Sequence, residues 1–221
     1  MNSVILLKNY TQPPFCEREI LRYAGCKAAD SEIAMLLESC MAEAKDKFTY
    51  KVCYRLLPVT VDGDWCDFGV FRLKSQNLAV NLQNCKKVLL FAATVGVEID
   101  RLIARYGRLS PSKALLFQAL GAERIEALCD CFCKDMEEEM QISLRSRFSP
   151  GYGDLSLTAQ KDIFAVLDCG RQIGLSLNDS LLMSPSKSVT AFAGISEGES
   201  KQLSSKCSVC SKTDCAFRGV L

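Results

Sequence analysis

A helical pattern that runs from residue 111 to residue 143 constrains the fold more than any other feature of this chain. Ser110 is a suitable N-cap, and Pro111 fits the first turn, where its missing N–H costs nothing. Apolar side chains recur at helical spacing and mark one buried side: Leu115, Leu116, Ala119, Ile125, Leu128, Phe132 and Met136. In a chain of 221 residues, we expect this helix to form the spine of the domain.

Strand patterns lie on both sides of this helix. Between residues 50 and 56 apolar and polar side chains alternate, which predicts a half-buried strand. Asp62-Gly63-Asp64 is the signal of a hairpin turn. Further strands are predicted at residues 88–93, 173–177 and 189–195.

Shorter helical patterns fill much of the remaining chain, at residues 17–21, 31–40, 75–82, 97–106 and 158–167. Together these elements predict an α+β fold, in which helices cover a twisted, mostly antiparallel sheet. We expect one domain from residue 1 to residue 195. Residues 196–221 are polar and poorly suited to join its core, so we expect a separate tail.

Thirteen cysteines and the absence of histidine restrict the chemistry. Without histidine the chain forms no Ser-His-Asp triad, no Cys-His pair and no histidine-bearing metal site. An odd number of cysteines, mostly inside apolar helical patterns, does not fit a secreted disulfide framework, so we expect reduced thiols in the cytoplasm. Cysteine packs as a small apolar residue, and we expect packing roles for Cys16, Cys26, Cys40, Cys53, Cys66, Cys85, Cys129, Cys131, Cys133 and Cys169.

Charge and hydropathy argue against two classes of partner. The formal net charge is +1, so no global field favours nucleic acid. The apolar stretch at residues 88–97 is too short to span a bilayer. We therefore expect neither a nucleic-acid partner nor a membrane.

The segment from Arg147 to Asp154 is the first candidate binding site. Its proline and two glycines favour a shaped loop over a helix or a plain strand. Arg147 supplies a planar charged fork, and Tyr152 supplies an aromatic face with a hydroxyl. This combination suits a pocket for a small anionic, partly aromatic ligand. An ordinary helix–helix turn with a surface arginine explains the same residues equally well.

Cys207, Cys210 and Cys215 form the second candidate site. Two cysteines three residues apart can direct both sulfurs at one metal or cluster edge, and Cys215 can add a third thiolate. Three thiolates suit an iron–sulfur cluster with one open iron, or a zinc ion completed by a distant cysteine or by a partner. The alternative is a flexible tail with free or redox-active thiols, or with a disulfide.

Two blocks of the sequence resemble the activation domain of cobalamin-dependent methionine synthase. Residues 147–152 carry the Arg-x-x-x-Gly-Tyr signature, and residues 173–189 are similar to the Leu-Thr-Glu-Ser-x-x-Met-x-Pro-x-x-Ser-Val segment. The Cys-x-x-Cys-x-x-x-x-Cys tail makes the chain most similar to stand-alone, clostridial-type members. Gly153 stands where the domain of the larger enzyme has a proline.

The resemblance implies a function and a set of site residues. The family binds S-adenosylmethionine (SAM) and presents its methyl group to the cobalt of a cobalamin held by another module, where one electron and the methyl group restore the cofactor. Arg147 would then pair with the methionyl carboxylate, Tyr152 would flank the sulfonium or the cobalamin edge, and Glu126 would hold the methionyl amino group. The loop residues that would complete the site are Phe148, Ser149 and Gly151.

We therefore expect a SAM-binding activation subunit, a component of methionine synthase rather than a complete enzyme. Its expected partners are a cobalamin-bearing methionine synthase or corrinoid protein and an electron donor. The alternative is a non-enzymatic metal- or redox-sensing adaptor. Such an adaptor would dock through the C-terminal cysteines and use the Arg147 loop as scaffold only.

Overall fold

The structure is a computed structural model that describes residues 4–26 and 30–196. The strands of this part, in chain order, are β1 (Leu6–Tyr10), β2 (Tyr50–Pro58), β3 (Thr60–Asp62), β4 (Trp65–Asp67), β5 (Arg72–Lys74), β6 (Lys87–Thr94), β7 (Ser143–Leu144), β8 (Ser176–Leu177), β9 (Met183–Ser184) and β10 (Ser188–Ser196). Its helices are α1 (Glu17–Tyr23), α2 (Ser31–Ala44), α3 (Gln76–Asn81), α4 (Glu98–Leu109), α5 (Pro111–Met140), α6 (Ala159–Leu167) and α7 (Cys169–Ile173).

The central element is a five-stranded sheet in the order β1-β2-β6-β10-β7. Every strand pairing in the described part is antiparallel, including those of the small β3-β4-β5 and β8-β9 sheets. The predicted α+β fold, with a mostly antiparallel sheet covered by helices, is confirmed.

Two layers cover this sheet, one on each face. On one face α1, α2, α4 and α5 pack over side chains such as Val52, Phe91 and Ala191. On the other face α3, α6, α7 and the small β3-β4-β5 sheet cover Cys53, Leu90 and Phe192. Because adjacent residues of a strand point to opposite faces, the middle strands contribute to both layers.

This two-sided burial corrects the predicted half-buried strand at residues 50–56. Cys53 has no exposed surface and belongs to the second layer, as does Leu57. Cysteine therefore behaves here as the apolar residue that its chemistry allows. The predicted packing role is wrong for Cys16, which is exposed just before α1.

Helix α5 is the predicted spine, but it ends at Met140 rather than at residue 143. Leu115, which was predicted on its buried side, is 51% exposed. Gln141 adopts the left-handed conformation at φ 52°, and its N–H donates to the Glu137 carbonyl, which terminates the helix. Two further N–H groups also bond to Glu137: Ile142 N–H donates to its carbonyl at 3.1 Å, and Leu144 N–H donates to its Oε1 at 2.8 Å. The chain can thus enter β7 directly from the spine.

The strand predicted at residues 173–177 is wrong over its first part. Cys169–Ile173 forms the short helix α7, and only Ser176–Leu177 is extended. Left-handed residues bracket the helix, with φ 46° at Asp168 and 71° at Gly174. A helix of one turn between two such residues is too short to show a helical period in the sequence.

Among all the helices described, none is both long and apolar enough to cross a membrane.

Candidate functional site

The loop after β7 is fixed to the edge of the central sheet. Phe148 and Phe192 exchange backbone hydrogen bonds of 2.8 Å in both directions, and Arg145 N–H donates to the Gly194 carbonyl at 2.8 Å. The Arg147 segment is therefore a shaped loop built on β10, not an ordinary helix–helix turn. The N–H and the carbonyl of Phe148 both bond to Phe192, and its ring packs against the second core layer, so Phe148 ties the loop to the sheet.

The far end of the loop is held by Asp154. Its carboxylate accepts hydrogen bonds from Ser75 Oγ at 2.5 Å and from the N–H groups of Gln76 and Asn77 at 2.7 and 3.1 Å. The Ser75 hydrogen bond, together with these backbone donors, lowers the pKa of Asp154. In return, Asn77 Oδ1 accepts from the Asp154 N–H at 3.2 Å. The loop is thus pinned at both ends.

Glycine is required at residue 153 by this docking. Gly153 has φ 54°, and an added Cβ would lie 2.3 Å from Asn77 Oδ1. Proline, with φ near −65°, does not adopt that conformation. A proline at this position would therefore be incompatible with the conformation of the loop.

Arg147 lies between two carboxylates of α5. Its Nη2 donates to Glu126 Oε2 at 2.7 Å, and its Nη1 donates to Asp130 Oδ1 at 2.5 Å. The Arg147 side chain is 12% exposed, against 36% for Glu126 and 71% for Asp130. Burial opposes the charge on Arg147, but its acidic neighbours outweigh burial and raise its pKa, so the guanidinium stays charged.

The structure thus joins two predicted site residues, Arg147 and Glu126, and adds Asp130, which the sequence analysis missed. Asp130 follows Glu126 by four residues, so both carboxylates occupy the same face of the helix. That spacing was the available signal.

Two thiols lie on the same face of α5 beside Arg147. Cys129 is fully buried and Cys133 is partly exposed. Burial raises the pKa of both thiols, and Arg147 opposes that effect only in part. Both thiols are therefore protonated at neutral pH, which argues against a nucleophilic cysteine at this place.

Two tyrosines on different elements interact electrostatically with Glu126. Tyr152 is 47% exposed and meets the Phe148 ring edge-on, with centroids 6.1 Å apart. Tyr23, in the last turn of α1, is a neighbour that the sequence analysis did not find. Burial raises the pKa of both phenols, and in each case the charge of the Glu126 carboxylate adds to the rise.

The arrangement offers charge of both signs beside an accessible aromatic face. An amino-acid group, with one carboxylate and one ammonium, matches an arginine and a glutamate placed side by side. An aromatic face attracts a cation such as a sulfonium. Ser149 and Gly151 shape the loop: the Ser149 carbonyl accepts from Tyr152 N–H at 3.0 Å, and Gly151 has φ 90°.

The predicted metal ligands Cys207, Cys210 and Cys215 lie outside the described residues. Within residues 4–26 and 30–196, no group of three or more metal-ligating side chains is close enough to hold an ion.

Comparison with known proteins identifies the fold. No protein-family model and no curated protein matches the chain. Among solved structures, it is similar to the crystal structure of the MetH reactivation domain bound to AdoHcy, with a TM-score of 0.64 and 14% sequence identity. The match covers 90% of this chain and 80% of that one. The chain has the fold of the MetH reactivation domain.

Proposed function

We propose that this chain binds SAM at the Arg147 loop and acts as an activation subunit. In this role it supports reductive methylation of cobalamin on a separate methionine synthase or corrinoid protein in the cytoplasm. The observation that carries the proposal is the Arg147–Glu126 pair beside Tyr152, in a fold whose solved neighbour was crystallised with AdoHcy. The sequence resemblance to the activation domain of methionine synthase supports the same assignment.

Each site residue has a defined task in this proposal. Arg147 receives the methionyl carboxylate and exchanges its bond to the exposed Asp130 for one to the ligand. Glu126 holds the methionyl ammonium, and the Tyr152 ring faces the sulfonium. Phe148, Ser149 and Gly151 keep the loop in place. The chain contributes positioning and exclusion of water, while SAM supplies the methyl group and a cobalamin-bearing partner accepts it.

Replacing Arg147 tests the proposal directly. Isothermal titration calorimetry with SAM and with AdoHcy is expected to show binding to the wild-type chain. Binding should weaken roughly 10- to 150-fold in Arg147→Gln, because hydrogen bonds to a charged group contribute about 1.5–3 kcal/mol. Arg147→Lys keeps the charge but not the planar fork, so an intermediate loss is expected.

Arg171→Gln is the matched control, since Arg171 is exposed on α7; it should bind both ligands as the wild type does. Absence of binding to the wild-type chain would overturn the proposal, and so would unchanged binding to Arg147→Gln. A chain that binds metal but neither ligand would favour the adaptor alternative.

We also propose that Cys207, Cys210 and Cys215 bind a metal ion or an iron–sulfur cluster that meets the electron donor. Their spacing supports this. After anaerobic purification, iron, zinc and sulfide are measured per chain, and Cys210→Ser is expected to lose most of the bound metal. Cys40→Ser, which changes a buried cysteine, should retain it. Metal-free wild-type protein would rule out the metal site.

A further inference from the structure

The two carboxylates that bind Arg147 differ in their exposure to solvent. Asp130 is 71% exposed and accepts from Nη1 at 2.5 Å, whereas Glu126 is 36% exposed and accepts from Nη2 at 2.7 Å. The side chain of Arg147 is only 12% exposed. Of its two partners, Asp130 is therefore the one that a ligand arriving from solvent can replace with the smaller change in burial.

In the chain without ligand, the same two carboxylates keep Arg147 paired and oriented. A guanidinium so little exposed would be costly to leave without a counter-ion. Its two terminal nitrogens bind side chains one turn apart on α5, so the plane of the fork is set before a ligand arrives. A donor that is already oriented loses less conformational freedom when it binds a ligand.

The Asp130 carboxylate has the same chemistry as the carboxylate of an amino-acid ligand. Both are planar anions with two acceptor oxygens, and both match the Nη1 donor of Arg147. Each can therefore hold that donor only when the other has left it. A ligand without a carboxylate has no such group to exchange, so the bond between Arg147 and Asp130 can persist while it binds.

The exchange favours the ligand, but by less than its own hydrogen bonds would give. An exposed ion pair contributes little to stability, because water solvates the carboxylate once it is released. Hydrogen bonds between charged groups away from water contribute more. The affinity that is measured for the ligand is therefore lowered by the contribution of the Arg147–Asp130 pair that it replaces.

We propose that Asp130 sets the affinity of this site for ligands that carry a carboxylate, by competing with that carboxylate for Nη1 of Arg147. The inference rests on the proposed function, because the ligand is the SAM-type molecule assigned to the Arg147 loop. It goes further in assigning a role to a residue of α5 that contacts the ligand-binding arginine and holds its place when the ligand is absent.

The test compares two ligands on matched variants. AdoHcy carries an amino-acid carboxylate, whereas 5′-methylthioadenosine is a related nucleoside that lacks it. Asp130→Asn removes the charge but keeps the size of the side chain and an oxygen that can still accept from Arg147. Glu138→Gln is the matched control, since Glu138 lies on the same helix, is 67% exposed and loses the same charge. Titration calorimetry measures binding, and thermal unfolding shows that each variant is folded.

Asp130→Asn is expected to bind AdoHcy about 2- to 5-fold more tightly than the wild type, the range that an exposed ion pair supplies. Its affinity for 5′-methylthioadenosine should be unchanged, and Glu138→Gln should bind both ligands as the wild type does.

Two results would overturn the inference and leave the proposed function standing. One is a folded Asp130→Asn chain that binds AdoHcy no more tightly than the wild type does. The other is an equal gain with both ligands, which would show a general effect of charge in place of competition for Arg147. A wild-type chain that binds neither ligand would overturn the proposed function as well.

Discussion

Replacing Glu123 by alanine is expected to lower the free energy of unfolding by roughly 3–5 kcal/mol, because it leaves a fully buried charge without its counter-ion. Glu123 accepts from Nε and Nη2 of Arg124, both at 2.5 Å. The two side chains are only 3% and 0% exposed.

The pair also anchors the start of the chain to the spine. Arg124 donates to the carbonyls of Pro13 and Pro14 at 2.7 and 2.5 Å, and its guanidinium carbon lies 3.5 Å from the centre of the Phe15 ring. Glu123 Oε1 accepts from the N–H of Cys16, the residue before α1, at 3.0 Å. Loss of Glu123 therefore also loosens the segment that leads into α1.

Urea unfolding monitored by circular dichroism measures the effect. Glu138→Ala is the matched control: Glu138 lies on α5, is 67% exposed and pairs with Lys134 at 3.7 Å, so its loss should cost less than about 0.5 kcal/mol. The double variant Glu123→Leu/Arg124→Met should be less destabilised than Glu123→Ala, because it leaves no unpaired charge. A cost below about 1 kcal/mol for Glu123→Ala would show that water reaches the Arg124 guanidinium.

The contrast between this pair and the Arg147 loop shows what the sequence can reveal. The loop was predictable because proline, glycine, arginine and tyrosine lie within a few residues. Proline and glycine restrict or extend the backbone angles at their own positions, so their effect can be read without knowledge of the fold. Glu123 and Arg124 are two adjacent charges in a helix, a pattern typical of a solvated face. Their partners Pro13 and Pro14 lie more than a hundred residues away in the chain, so only the fold reveals that they are buried.

The same contrast between local sequence signals and distant contacts explains which secondary-structure predictions were confirmed and which were wrong. The spine has a helical period long enough to be read, β6 was predicted from an unbroken apolar run, and both elements are present. The strand at residues 50–56 was predicted to be half-buried, because alternation within one strand contains no information about a second covering layer. At the site, Glu126 and Arg147 were named from the resemblance, whereas Asp130 belongs to no motif and was found only because the structure pairs it with Arg147.

Replacing Phe132 by alanine is expected to lower the free energy of unfolding by about 3–5 kcal/mol, the usual cost of removing a buried aromatic ring and leaving a cavity. Phe132 lies on α5 and has no exposed surface. Its ring centroid lies 5.2 Å from that of Tyr54 on β2 and 5.0 Å from that of Phe91 on β6, so this ring joins the spine to the middle of the sheet.

The consequence extends to the site, since the same helix presents Glu126 and Asp130 to Arg147. Phe132→Leu fills most of the volume and should lower the free energy of unfolding by about 1 kcal/mol. Leu115→Ala changes a side chain that is 51% exposed, so it should lower the free energy of unfolding by less than about 0.5 kcal/mol. Urea unfolding of the three variants ranks them by their free energy of unfolding. If Phe132→Ala is no less stable than Leu115→Ala, the helix does not depend on this contact for its place on the sheet. If the order holds, AdoHcy affinity should fall in Phe132→Ala and stay near the wild-type value in Leu115→Ala, because only the first change removes the contact that fixes the two carboxylates opposite the loop.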